Sequence, residues 1–151
     1  MISIIEDKDT KQKVAREVLE ALPEWFGIPS AREAYIRESA DQLMIASFDG
    51  KPATGFLCLK ETGRDTAEIA VMGVRKEYQH AGIGTKLFEA ARNAALKKGY
   101  LFLQVKTVKE GCYEEYDRTN AFYRHLGFKE FEVMPDLWDE HNPCQIYVIA
   151  L

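Results

Sequence analysis

The chain reads as an α/β (α+β) domain, one mixed sheet with helices on both faces. Three observations predict it. Two helical stretches come early, a strand hairpin follows, and then the order runs strand, helix, strand, helix, strand, strand. The strand candidates are short and rich in β-branched and aromatic residues, whereas the helix candidates repeat their apolar positions at three to four residues. No repeat, low-complexity tract or Pro/Gly-rich linker divides the 151 residues, so one domain spans 1–151.

In order, residues 2–6 predict the first strand. Asp9 or Thr10 caps a helix whose Val14, Val18, Leu19 and Leu22 share a face, and Pro23 stops it. Ser30 caps a second helix to about Ser39. Residues 42–48 and 53–61 form a hairpin about Asp49-Gly50, a favoured two-residue turn. Residues 66–74 are the next strand and 83–98 the long helix, ended by Gly99. Residues 101–108 are a strand, a short helix from Arg118 closes at Gly127, and strands at 128–134 and 145–151 finish the chain.

Composition excludes several classes. Hydrophobic content of 46% and charged content of 29% are those of an ordinary globular domain. No apolar run approaches the ~20 residues needed to cross a bilayer, and the start lacks the pattern of a signal peptide. Cys58, Cys112 and Cys144 have neither C-x-x-C spacing nor an even count, so no disulfide framework or zinc site is expected, and the histidines lack ligand spacing. Cytoplasmic location is the expectation. A net charge of −4 without a basic block argues against a nucleic-acid partner.

The most informative segment runs from Val71 to Leu87. An apolar strand stops at Val74, and a polar turn leads to Gln79-His80-Ala81-Gly82-Ile83-Gly84-Thr85 at a helix start. Glycines there leave room for close approach of a ligand, and the free N–H groups and positive dipole of a helix start suit an anion. A Walker loop is excluded, because no glycine precedes a Lys-Ser or Lys-Thr pair. A dinucleotide fingerprint is excluded because Leu87 stands where its third glycine belongs. Gln79-x-x-Gly82-x-Gly84 after a strand instead resembles the acetyl-coenzyme A loop of GNAT-superfamily N-acetyltransferases. A second cluster, Phe122-Tyr123-x-x-x-Gly127-Phe128, is similar to the helix end that follows that loop in the same family. The resemblance covers about residues 42–151.

The resemblance implies a GNAT-like, mostly antiparallel sheet whose central strands splay apart around the acyl donor, acetyl-coenzyme A. It places Met72, Val74, Gln79, His80, Ala81, Gly82, Ile83, Gly84 and Thr85 on that donor, with no metal. It also places at Tyr123 the tyrosine that protonates the departing thiolate. A phenol, with a pKa of ~10, holds its proton at neutral pH. An amine acceptor must lose a proton, and Ala67-Glu68-Ile69 is similar to the strand of members whose glutamate takes it. Strand alternation puts Glu68 on one face with Ala70, Met72 and Val74, apolar company that would raise a carboxylate's pKa. Glu68 acts directly, through a water, or only by attracting a cationic acceptor. Tyr116 stands where the family often has Asn, and Asn120 is one position out of register.

Two patches are candidates for acceptor contact: Trp25-Phe26 between the early helices, and Trp138-Asp139-Glu140 in a loop joining the last strands. Together these imply transfer of acetyl to the primary amine of a small molecule or amino acid by direct attack in a ternary complex. A homodimer stays open. The alternatives are a non-catalytic acyl-coenzyme A sensor or structural module, and a protein N-acetyltransferase.

Overall fold

Asp7, rather than Asp9 or Thr10, opens the first helix. The computed structural model covers residues 1–151. After strand β1 (Ile2–Ile5), the Asp7 carboxylate accepts from the Thr10 backbone N–H at 2.9 Å and from its hydroxyl at 2.7 Å, and helix α1 (Lys8–Glu20) begins. A carboxylate there satisfies free donors and meets the positive helix end. α1 buries Val14, Ala15, Val18 and Leu19. Helix α2 (Pro29–Ser39) begins one residue ahead of the expected Ser30 cap. Pro29 sits in the first turn, where a missing N–H costs nothing, and no side chain caps it.

Strands β2 (Leu43–Phe48) and β3 (Ala53–Glu61) form the hairpin, but not through a two-residue turn. Phe48 pairs with Ala53, leaving residues 49–52 as the connection, with a cis Lys51–Pro52 bond. β4 (Thr66–Val74) occupies the expected span, followed by a 3₁₀ turn (Lys76–Tyr78) and α3 (Ile83–Lys97). Next come β5 (Phe102–Val108) and α4 (Glu114–Leu126). α4 starts a turn before Arg118, with Glu114, Glu115 and Asp117 in its first turn, where the helix dipole favours anions. Gly127 closes it at φ 108°, a left-handed conformation that glycine adopts without penalty.

β6 (Lys129–Asp139) and β7 (Asn142–Ala150) correct the expectation of a loop after residue 134. β6 runs through Pro135 because it is the outermost strand, where a missing N–H deprives no neighbour. Its register against β7 shifts between Met134 and Asp139, and Asp139 pairs with Asn142 at a hairpin tip.

The strand order is β1-β2-β3-β4-β5-β7-β6, antiparallel except between β4 and β5. That parallel pairing runs only from Thr66↔Phe102 to Ile69↔Val105. Beyond it, β4 follows β3 to Val74 while β5 follows β7 to Val108, so the central strands splay apart. Each sheet face has its own core. α3 and the end of α4 bring Leu87, Phe88, Ala91, Tyr123 and Phe128 onto Ile45, Leu57, Ala67, Ile69, Leu103 and Val105. On the other face, Val14, Val18, Leu19 and Leu22 meet Met44, Ala46, Phe56, Cys58 and Val71. No helix is long and apolar enough to cross a membrane.

Candidate active site

Separation of β4 from β5 opens a cleft of about 940 Å³. Its floor is the diverging ends of the two strands, including Ala70, Met72, Val74, Lys106 and Thr107. One end reaches the start of α3, and the other reaches Trp25, Phe26 and Trp138.

A bulge in β4 decides which side chains face where. Cys58 pairs with Val71 but Leu59 with Ile69, so Ala70 has no partner on β3, and pairing with β5 has already ended at Ile69. Ala70 thus has no register partner on either neighbouring strand, and it lines the cleft. The extra residue also inverts the alternation. Ala67 and Ile69 before it, and Met72 and Val74 after it, all serve the α3 face. Glu68 is consequently on the opposite face from Met72 and Val74, correcting the expected arrangement. Its carboxylate is buried among cations rather than apolar groups: Lys106 Nζ lies at 2.9 Å and Lys60 Nζ at 4.0 Å. Lys106 lines the cleft and Glu68 does not.

At the α3 end, Gly82 is the cap, at φ 81°, and a side chain there would meet nothing within 4 Å. The first helical bond is Lys86 N–H to Gly82 C=O, leaving the N–H groups of Ile83, Gly84 and Thr85 without an acceptor in the protein. Three open donors, a positive helix end and empty space at Gly82 fit the phosphates of a coenzyme A. Gln79 ties the loop back to β4 by donating from Nε2 to Val74 C=O at 2.9 Å, and His80 turns the chain at φ 66°. Gly84 meets a packing demand as well. A Cβ there would sit 3.0 Å from the Phe122 ring, so the missing side chain makes room for α4. Ala81 lies outside the cleft lining.

α4 brings Tyr123 to the cleft wall, 7% exposed and packed on Phe122, Phe128 and Tyr147 at ring distances of 5.6, 5.6 and 6.2 Å. Burial pushes its pKa above the ordinary phenol value, so the hydroxyl keeps its proton. Asn120, fully buried, braces this wall. Its amide donates to Val108 C=O at 2.8 Å and Tyr116 C=O at 2.7 Å, and its Oδ1 accepts from the Tyr147 hydroxyl at 2.6 Å. Tyr116 lines the cleft, its hydroxyl donating to Trp25 C=O at 3.0 Å, and burial pushes its pKa up to about 12.

The residues from 39 to 130, more than half of the sequence, match the family model of the acetyltransferase (GNAT) domain. The chain belongs to the GNAT acetyltransferase family. Among curated proteins no sequence matches it. Solved structures do. The IAA acetyltransferase from Bacillus cereus is 22% identical with a TM-score of 0.78, over 100% of this chain and 99% of that one. An aminoglycoside 6′-N-acetyltransferase complexed with coenzyme A is 19% identical with a TM-score of 0.73, over 99% and 96%. The ribosomal-protein-S18-alanine N-acetyltransferase from Escherichia coli is 17% identical with a TM-score of 0.77, over 99% and 94%. At such identities the likeness establishes the GNAT fold.

The other end of the cleft in this GNAT chain collects some of the residues expected to contact an acceptor and not others. Trp25 and Phe26 line it, strapped to α4 by Trp25 Nε1 donating to Thr119 Oγ1 at 3.2 Å. Trp138 and Asp139 line it from the β6–β7 tip. The Asp139 carboxylate, however, is occupied by the Asn142 amide and the His141 N–H at 2.9 Å, contacts that lower its pKa. Glu140 lies outside the lining and pairs with His141 at 3.4 Å. The cleft also draws in Arg32 and Lys106, to which the sequence reading gives no part, and its wall is braced by Asn120, which that reading sets aside as out of register. Lys106 could have been flagged as a basic residue inside an apolar strand, but its partner depends on the β4–β5 register.

Proposed function

We propose that the protein is an N-acetyltransferase using acetyl-coenzyme A and the primary amine of a small molecule, joined in a ternary complex. The observation carrying this is the continuity of one cleft from the unpaired N–H groups of α3, past Ala70 and Tyr123, to the aromatic acceptor end. Bound there, acetyl-coenzyme A supplies an activated thioester. The Ile83, Gly84 and Thr85 amides hold its phosphates, and Met72 and Val74 flank its arm. Ala70, which has no register partner on β3 or β5 and lines the cleft, would polarise the thioester carbonyl through its backbone N–H.

Tyr123 holds a proton at its hydroxyl oxygen and donates it to the departing sulfur. Glu68 reaches the cleft only past Lys106, so it takes the amine proton through a bridging water. Trp25, Phe26 and Trp138 orient the acceptor and exclude water. No residue forms a covalent link to the acyl group, because direct attack needs none.

The test is thiol release from acetyl-coenzyme A with a panel of amino acids, polyamines and aminoglycosides. Tyr123→Phe should keep cofactor affinity and lower turnover about 10²-fold, the usual range for a positioned acid. Coenzyme A binding without turnover on any amine would turn the reading toward a sensor. A Tyr123→Phe variant with unchanged turnover would leave Tyr123 as packing.

A further inference from the structure

Charge bookkeeping in the cleft leaves one cation unmatched. Three lysine or arginine side chains line it: Arg32, Lys106 and Arg118. Lys106 is paired with Glu68 at 2.9 Å and Arg118 with Glu114 at 3.6 Å. Arg32 has no carboxylate partner. One guanidinium nitrogen donates weakly to Phe26 C=O at 3.4 Å, and its Nε is buried with no acceptor. It projects from α2 into the end lined by Trp25, Phe26 and Tyr35, across the sheet from α3 and its phosphate seat. The single carboxylate of the lining, Asp139, is engaged in its own turn.

We infer that Arg32 is a specificity residue that grips an anionic oxygen group, a carboxylate or phosphate, carried by the acceptor beside its amine. The inference rests on the amine-acetylating reading above and gives that amine a companion charge. It adds a cation, Arg32, to the acceptor contacts expected from Trp25, Phe26, Trp138, Asp139 and Glu140. A guanidinium presents a planar fork of donors matched to two oxygens, and an unpaired buried donor is costly until something fills it. The amine would then lie toward the strand split, where Ala70 and Tyr123 are, with its anionic end held against α2.

The experiment compares matched acceptors: amino acids against their own carboxamides, and aminoalkyl phosphates against their amino alcohols. Thiol release gives kcat/KM, and calorimetry on the coenzyme A-loaded protein gives affinity for the same compounds. In one of the two series the anionic member should be preferred by about 10- to 100-fold, the worth of a charged hydrogen bond; that series identifies the group. Arg32→Gln should abolish the preference while leaving the KM for acetyl-coenzyme A and the melting temperature unmoved, and Arg32→Lys should restore part of it. Equal treatment of both members of every pair, in turnover and in binding, overturns the inference. So does an Arg32→Gln variant that loses both members equally, or that shifts the KM for acetyl-coenzyme A. Arg32-dependent binding of the anionic members without turnover would overturn amine acetylation and sustain the Arg32 site.

Discussion

Asn120→Ala tests whether the α4 wall of the cleft is held by one buried amide. The substitution strips the Val108 carbonyl of a donor and the Tyr147 hydroxyl of its acceptor, both in the interior. The Tyr116 carbonyl is four residues back in the same helix and loses least. Two stranded polar groups at about 1–3 kcal/mol each, with a small cavity partly relieved by water, give a loss of about 2–5 kcal/mol. For a chain of 151 residues this corresponds to a melting point lower by roughly 5–15 °C. Urea and thermal unfolding of the ligand-free protein read it directly. Tyr147→Phe removes only one end of the 2.6 Å bond and should cost about 1–2 kcal/mol, since Arg124 keeps Glu110 at 3.0 Å. Because the variants share that bond, the double substitution should cost less than the sum. An Asn120→Ala protein within about 0.5 kcal/mol of wild type, or strict additivity with Tyr147→Phe, would refute the bracing argument.

Gly82→Val should fold with a modestly lower melting point, because φ 81° is strained for a β-branched residue, while calorimetric affinity for coenzyme A falls severely; unchanged affinity in a folded variant would remove the phosphate seat. Glu68→Gln should lose turnover by a factor that shrinks as pH rises, since the acceptor amine then deprotonates unaided, and a deficit flat with pH would argue against base catalysis. In alkali, Tyr123, Tyr116 and Tyr35 all have folded pKa values raised chiefly by burial. Their contribution to stability is complete below the unfolded phenol value of ~10 and is lost as pH climbs toward the folded values. Denaturation midpoints should therefore be level to about pH 9–10 and fall above it; a fall centred near neutrality would place the alkaline transition on other groups.

Much of the layout was legible because it rests on local chemistry. β4 at Thr66–Val74, the glycine cap at Gly82 and the left-handed close at Gly127 follow from side-chain type and backbone freedom. What was not legible depends on partners distant in sequence. The bulge at Ala70 is a property of β3 against β4, and it alone moves Glu68 to the other face. Pro135 reads as a strand breaker until β6 is known to be an edge. Gly84 reads only as ligand clearance until Phe122 arrives from α4, 38 positions later. The acid at Asp139 reads as an acceptor ligand until its own turn claims it.

The short parallel seam between β4 and β5 has a mechanical consequence. Within the sheet, the ladder from Thr66↔Phe102 to Ile69↔Val105 is the only strand pairing that joins the β1–β4 side to the β5–β7–β6 side. Past it the two strands make no ladder with each other, and only side chains, the α3-face core and the Lys106–Glu68 pair, still span them. Any molecule lodged between the diverging ends touches both halves and acts as a removable staple across the sheet. Amide exchange along Val105–Val108 should thus report occupancy from either end of the cleft, slowing whichever ligand enters. The cleft is then also the place where a bound molecule would bridge the two sides of the sheet.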